Sequence, residues 1–540
     1  MQHLLMLILG LALLLTGETS RSWAAALDAP LRQALATTGT AGEIPVIVTL
    51  NNQVAPAQFN HLGAGRPRRD ALIKALRKQA EESQQDLRLF LKASGVRRFK
   101  PLWSINGLAF QATPELLTAL AARPEVAEVR LDGTISAPAP IPSAITGGEW
   151  NIATVGAPQL WGLGLTGSGV VVASLDSGVD PLHPDLAGNY RGGLGAWFDP
   201  NDEHLTPYDH SGHGTAVMGV LVGGAADGAG IGMAPATQWI AAKIFNDRGT
   251  ATYSGIHQAY AWTLDPDGNG DSIDAPQVVN NSWDLSSTNL CLPEFQKDIQ
   301  LLKASGIAVV FSGGNGGPHP TTSTSPANYP ESLAVGAVNQ AGGIASFSGR
   351  GPSSCPGGDQ LFPRLAAPGV NIKSADLTLN GGNPDPYGFH DGTSFSAPHV
   401  SGLIALLLGQ NGAPATSLAD LETALEKGAD DLGPLGPDQT FGRGLINGLA
   451  SLRRLQGQPH LAVYDPRPPE HDHQLDFGSL PVGAQLTRSL TLRNSGGGLL
   501  VFADHNWAGL SPALTVTEDL CSGQSLISDQ TCGITVRFAP

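Results

Sequence analysis

The 540-residue chain predicts an α/β fold, a doubly wound, mostly parallel sheet, preceded by a small α+β unit and followed by a β-sandwich. Three observations carry this prediction. Between Glu149 and Arg454 five continuous apolar runs alternate with helical stretches: Val170 to Leu175, Gln238 to Lys243, Val278 to Ser282, Ile307 to Ser312 and Leu333 to Val338. Uninterrupted apolar strands are expected where helices cover both faces of a parallel sheet. Ahead of them, from Glu43 to about Asp132, strand-like Ile44 to Leu50 precedes a helical run, Asp70 to Ala93, and then Gly107 to Ala112 and Val126 to Leu131 flank a short helix. Thr113 is placed to cap that helix, with Pro114 at its first position. After Pro459, alternating segments such as Thr487 to Asn494 and Cys532 to Phe538, separated by Gly-rich turns, read as antiparallel strands.

The length suggests about three domains at roughly 150 residues each. Hydrophobic residues make up 41% of the chain and charged residues 14%, a globular composition. The formal net charge of -16 argues against nucleic acid, whose phosphates require a basic footprint, and leaves protein or peptide partners open.

Residues 1–26 read as a secretory signal peptide. Leu4 to Leu15 is apolar, and Ala24, Ala25 and Ala26 offer a small-residue cleavage site. The run is shorter than the roughly 20 residues of a spanning helix, which disfavours a permanent anchor. Export to an extracellular or cell-surface location agrees with an even number of cysteines. None of the four is in a C-x-x-C spacing, and two bridges within separate domains are expected, Cys291 to Cys355 and Cys521 to Cys532. A Pro-rich stretch, Ser136 to Gly147, is read as an unpacked linker. The expected organisation is thus a signal at 1–26, an α+β unit at 43–132, a linker and processing region at 133–148, an α/β domain at 149–454 and a β-sandwich at 459–540.

The polar residues of interest follow the strands, where open α/β sheets place ligands. Asp176 comes directly after Val170 to Leu175, His213 lies in His210-Ser211-Gly212-His213-Gly214-Thr215, and Ser394 lies in Gly392-Thr393-Ser394-Phe395-Ser396-Ala397-Pro398 before an apolar helix, Val400 to Leu408. Singly, each reads as a turn former or a helix cap. Together they supply a nucleophile, a base to take its proton and a carboxylate to orient that base. The order Asp, His, Ser is that of subtilisin, a worked example of convergent triads, and differs from the α/β-hydrolase order.

These three motifs resemble the signatures of the subtilases. Glu149-Trp150-Asn151-Ile152, Asn280-Asn281-Ser282-Trp283 and Ala327-Asn328-Tyr329-Pro330-Glu331-Ser332 resemble the bacillopeptidase F branch. The resemblance implies a serine-type endopeptidase, expected as a monomer with no cofactor for catalysis, with Asn315 of Ser312-Gly313-Gly314-Asn315-Gly316 as an oxyanion donor. It also implies two backbone segments that pair with the substrate, Ser282-Trp283-Asp284 and Ser312-Gly313-Gly314. Asp284 stands where the family usually has Gly, and its carboxylate is expected to point to solvent rather than favour basic side chains. Glu43 to Asp132 resembles the inhibitor propeptides of subtilases, an intramolecular partner, with self-cleavage in the linker. Pro459 to Pro540 resembles the immunoglobulin-like modules of the abnormal-spindle and hydin type, expected to be truncated at Pro540.

Asp265, Asp267, Asn269 and Asp271 alternate as in the front half of a calcium loop, although the closing bidentate Glu of an EF-hand is missing. They are the expected ligands of a structural calcium, against the alternative of an acidic surface turn. Two other functional classes stay in view, an inactive subtilase-fold scaffold and a surface adhesion protein.

Overall fold

The computed structural model describes residues 27–38, 42–63, 65–142, 149–226, 228, 230–271, 273–409, 417–465 and 475–540. The expected signal peptide, 1–26, lies outside the described residues, as do 143–148 of the linker. Among the described residues no helix is long and apolar enough to cross a membrane.

The described residues form two compact units, those within 27–54 with 76–133, and those within 55–75 with 134–540. In the first, an antiparallel sheet runs in the order Lys100–Leu102, Gly107–Ala112, Ile44–Leu50, Val126–Leu131. Its core gathers Leu31, Val46, Val48, Leu108, Leu117, Leu120 and Val129. The Thr113 side chain accepts a hydrogen bond from Leu116 N and caps the helix Pro114–Ala121. The single helical run expected from Asp70 to Ala93 is two helices, Arg66–Ser83 and Gln85–Ala93. Between them Gln84 is fully buried and donates to Asn106 Oδ1 and the Gly107 carbonyl.

The second unit is built on a seven-stranded parallel sheet. Its order is Leu365–Pro368, Leu333–Val338, Ala308–Ser312, Val278–Asn281, Val171–Asp176, Gln238–Lys243, Trp197–Phe198. The chain winds one way from Val171–Asp176 and the other way from Val278–Asn281. The reversal therefore lies between these two strands, where a crevice opens at their carboxyl ends. The helices His213–Val222 and Thr393–Leu408 are almost wholly buried, and they pack into the core with Val172, Trp239, Val278, Val310 and Val335.

The linker differs from expectation. Thr134–Ser136 pairs antiparallel with Thr250–Thr252, and Ile141 and Pro142 pair with Asp391 and His390. Short edge pairings tolerate proline, because a peptide N–H facing away from the ladder is not needed. Beyond the helix Gly448–Leu455, an antiparallel sheet runs Leu461–Tyr464, Leu486–Asn494, Thr531–Phe538, Leu514–Asp519, beside a small ladder of Leu500–Val501 with Ser525–Leu526. Asp529 accepts from both Arg454 and Arg493. Cys291 is bonded to Cys355 and Cys521 to Cys532.

Candidate active site

Asp176 ends its strand and is 1% exposed. Its Oδ1 accepts from His213 Nδ1 at 2.7 Å and from Ser177 N at 2.7 Å. The approach of the two elements depends on glycine. A Cβ on Gly214 would meet the Gly178 carbonyl oxygen at 2.1 Å, and one on Gly178, at φ +116°, would meet the Tyr208 oxygen at 1.9 Å.

His213 opens its helix, whose N-cap Gly212 has no side chain to satisfy the first amides. Asp209 does so instead. Its Oδ1 accepts from Ser211 N and Gly212 N, and its Oδ2 from the Thr215 amide and hydroxyl. Thr215 Oγ1 in turn accepts from Asp180 N, tying the loop after Asp176 to the helix. Burial works against the imidazolium, but the Asp176 carboxylate, through its charge and hydrogen bond, and Asp209 farther off hold the His213 pKa above its ordinary 6.5. Beneath Asp176 the fully buried Lys243 donates to the Ser177 and Phe245 carbonyls and pairs with Asp247.

Ser394 sits in the first turn of Thr393–Leu408, and Gly392, at φ 142°, is the N-cap. The apolar helix expected from Val400 to Leu408 begins earlier, at Thr393, with Pro398 inside it and no N–H at that position. That loss strands the carbonyl four residues back, which is Ser394's own. Ser282 Oγ donates to this carbonyl at 2.7 Å, and Asn280 Nδ2 donates to Ser282 Oγ at 3.0 Å. The Ser394 hydroxyl donates to the Ser282 carbonyl at 3.2 Å rather than to His213 Nε2. His399, one residue after Pro398, is buried and bonded to the Phe395 carbonyl and Asn151 Nδ2. Burial lowers its pKa to about 4, so the ring is neutral.

Asn315 follows the strand Ala308–Ser312. Its Oδ1 accepts from the Thr393 amide and hydroxyl at 3.0 and 2.9 Å. This fixes the amide with Nδ2 as the free end. One cavity of about 120 Å³ brings together His213, Asn315, Ser394, His390 and Phe395. Burial lowers the His390 pKa to about 4, and the neutral ring stacks on Phe395 at 4.8 Å.

Of the expected substrate segments, Ser282 and Ser312 end up buried at strand termini. The Trp283 ring packs against Phe295 and Phe311 in the interior, so that residue offers only backbone. Gly313 N bonds the Val335 carbonyl. Asp284, expected to point to solvent, is half-buried. Its Oδ1 accepts from Ser286 N at 2.5 Å, and the side chain lines a cavity with Gly314 and Asn315. The turn that folds it inward has Ser286 at φ 54°.

Of the expected calcium ligands, Asp265 and Asp267 come together with Asp274, which the sequence reading did not include. Asp265, Asp267 and Asp274 bring carboxylate oxygens within 4.8 Å of one another. Asn269 and Asp271 instead cap loop amides, Asn269 Oδ1 accepting from Asp271 N and Asp271 Oδ1 from Ile273 N. Asp209, Lys243 and Asp274 went unread in the sequence. Asp209 alone had a local signal, four residues before His213 in Asp209-His210-Ser211-Gly212-His213.

Residues 167–444 match the Subtilase family. Over 469 residues, 77% of this chain, it is 34% identical to Bacillopeptidase F of Bacillus subtilis (strain 168), and the match covers 32% of that protein. The chain therefore spans about a third of that longer relative. Over 305 residues it is 36% identical to Subtilisin of Bacillus pumilus, covering 55% of this chain and 96% of that one, and 35% identical to Subtilisin E of Bacillus subtilis (strain 168), covering 69% of it. With sheet, site geometry and these matches in agreement, the chain belongs to the subtilase family of subtilisin-like serine peptidases.

Proposed function

We propose that this chain is a secreted serine endopeptidase, made as a self-processing precursor, in which Ser394 is the nucleophile, His213 the general base, Asp176 its orienting carboxylate and Asn315 the oxyanion donor. The observation that carries the reading is the amide of Asn315, held by Thr393 so that Nδ2 is free toward the cavity of Ser394 and His213. Rotation of the Ser394 hydroxyl away from the Ser282 carbonyl hands its proton to His213 Nε2 as Oγ attacks a peptide carbonyl. Asp176 at Nδ1 fixes the tautomer that leaves Nε2 basic, and stabilises the imidazolium that forms. The oxyanion receives hydrogen bonds from Asn315 Nδ2 and the Ser394 amide at the helix N-terminus. His213 then gives its proton to the leaving amine, and water repeats the sequence on the acyl-enzyme.

Self-processing is supported by the course of the segment 134–142. It enters along Thr250–Thr252, lines the cavity of the nucleophile with Ala139, Pro140 and Ile141, and leaves along His390–Asp391. Residues 43–132 are proposed as the inhibitor propeptide. A structural calcium is proposed at Asp265, Asp267 and Asp274. Burial and the charge of Asp267 raise the Asp274 pKa, a strain that a hard cation with oxygen ligands relieves.

The test is expression of the full chain beside Ser394→Ala without other proteases. The unmutated protein should label with a fluorophosphonate and be cut between residues 131 and 149, while Ser394→Ala should do neither. Processing of Ser394→Ala at the same bond excludes self-cleavage, and an unlabelled, inert unmutated protein returns the reading to an inactive scaffold.

A further inference from the structure

A second cavity, of about 480 Å³, shares Asn315 with the cavity of Ser394 but not His213. Its wall includes Asp284, Thr288, Gly314, Thr322 and Thr324. The direction of the segment 134–142 says which side of a substrate it receives. Ser136 and Ala137 line this cavity only, whereas Ala139 to Ile141 line both. A chain following that path, N to C, passes this cavity before it reaches the nucleophile. The residue whose carbonyl lies between Ser394 and Asn315 therefore turns its side chain into the Asp284 cavity.

The chemistry of the wall is specific. Asp284 Oδ1 is held by Ser286 N. Its Oδ2 lies 3.3 Å from the point where a Cβ on Gly314 would stand, so the glycine leaves that oxygen uncovered. No Lys, Arg or His among the described residues pairs with Asp284. Against the same point stands the methyl carbon of Thr324, at 2.6 Å, and Thr324 is 2% exposed. Desolvation raises the Asp284 pKa, opposed only by the Ser286 hydrogen bonds. A carboxylate oxygen short of a donor thus faces a cavity with room for a long side chain.

We propose that Asp284 makes this cavity a subsite that favours a cationic side chain, so that separate peptides are cut fastest after Arg or Lys, while the cut between residues 131 and 149, a stretch without Lys or Arg, is made on the tethered chain, whose high effective concentration offsets the missing charge. The proposal rests on Ser394 being the nucleophile of a peptidase. A Lys ammonium or Arg guanidinium brings only donors, and supplies what the Asp284 Oδ2 lacks. A neutral side chain of the same length leaves the carboxylate desolvated and unpaired, a differential loss that appears in kcat/KM.

The test uses full-length, self-processed protein and peptides that differ only before the scissile bond, with Arg against citrulline and Lys against norleucine. Active sites are counted with a fluorophosphonate. For the unmutated protein the charged member of each pair should be favoured by at least about tenfold in kcat/KM. In Asp284→Asn that ratio should fall to near one, and in Asp284→Glu it should persist. Equal rates within the pairs for the unmutated protein overturn the proposal even if no variant folds, as does a ratio unchanged in Asp284→Asn. Absence of both labelling and cleavage of any peptide would instead refute the parent reading of Ser394.

Discussion

The hydroxyl of Ser282 and the ring of Pro398 should be energetically coupled, although they lie 116 positions apart. Pro398 has no N–H for the Ser394 carbonyl, and the Ser282 hydroxyl donates to it in a region where both residues are buried. Ser282→Ala leaves that carbonyl without a donor and removes the acceptor of Asn280 Nδ2. Each orphaned buried group costs about 1–3 kcal/mol, so the single substitution, which orphans two, should lower stability by roughly 2–6 kcal/mol. Pro398→Ala restores a backbone N–H in helical register with Ser394. Its effect on the unfolded chain, about 0.4–1 kcal/mol, is the same with or without Ser282 and cancels in a double-mutant cycle. The coupling isolates the carbonyl share, about 1–3 kcal/mol, with the double mutant more stable than the sum of the singles predicts. The assay is urea unfolding of the four full-length proteins in a Ser394→Ala background, which prevents self-digestion and leaves the carbonyl in place. Additivity within about 0.5 kcal/mol would refute the idea that the Ser282 hydroxyl stands in for the missing helical donor.

Asn315→Ala should lower kcat by about two to three orders of magnitude with KM nearly unchanged, since Nδ2 meets charge that exists only in the transition state; an unaltered kcat would remove Asn315 from that role. His257, fully buried between Asp298 at 2.7 Å and Glu294 at 2.9 Å, has its pKa raised to about 9, burial opposing and the two carboxylates prevailing. Its protonated form therefore stabilises the fold fully below about pH 6.5, and that contribution is lost as pH rises through about 9, a decline on the order of a few kcal/mol at about 1.4 kcal/mol per pH unit. Urea midpoints of Ser394→Ala protein measured from pH 6 to 10 should show this fall, and the same slope persisting in His257→Gln would count against it. Chelation of calcium should lower the melting temperature of the same protein, and Asp274→Asn should abolish the chelator effect; identical melting with and without EDTA would remove the cation.

Strands with apolar side chains on both faces were readable because runs of only about four to six β-branched or apolar residues between turn residues are too short for a buried helix. Gln238–Lys243 and Leu333–Val338 fall where the sequence predicts them, as do Ile44–Leu50, Gly107–Ala112 and Val126–Leu131. Leu365–Pro368 was not readable, since Leu-Ala-Ala-Pro looks like a turn. It is a sheet edge, where the terminal proline leaves no ladder bond unmade. Trp197–Phe198 is too short for any period to register. The break at Gln84 has neither Gly nor Pro to announce it, because its cause is a pair of hydrogen bonds to Asn106 and Gly107, more than twenty positions away.

The site divides along the same line between local and distant causes. Asp176, His213 and Ser394 each carry a local pattern, a strand end or helix start with glycines that permit close approach. The groups that hold them act across the sheet. Lys243 reads as the end of an apolar strand, yet its ammonium supports the Ser177 carbonyl from the neighbouring strand, where Asp176 and Lys243 are paired in register. Pro398 reads as a reason to start the helix after it, and only the hydroxyl of Ser282, from another strand end, makes the earlier start tenable. Asp284 follows the same logic. At the end of Val278–Asn281 a carboxylate beside two serines has every local reason to face water. The positive φ of Ser286 folds the chain back so that its amide holds one carboxylate oxygen, while the missing side chain of Gly314 leaves the other open to the cavity. A side chain whose direction is set by a turn after it and a glycine thirty positions on is invisible to periodicity, and such positions are where one member of a shared fold can acquire a preference of its own.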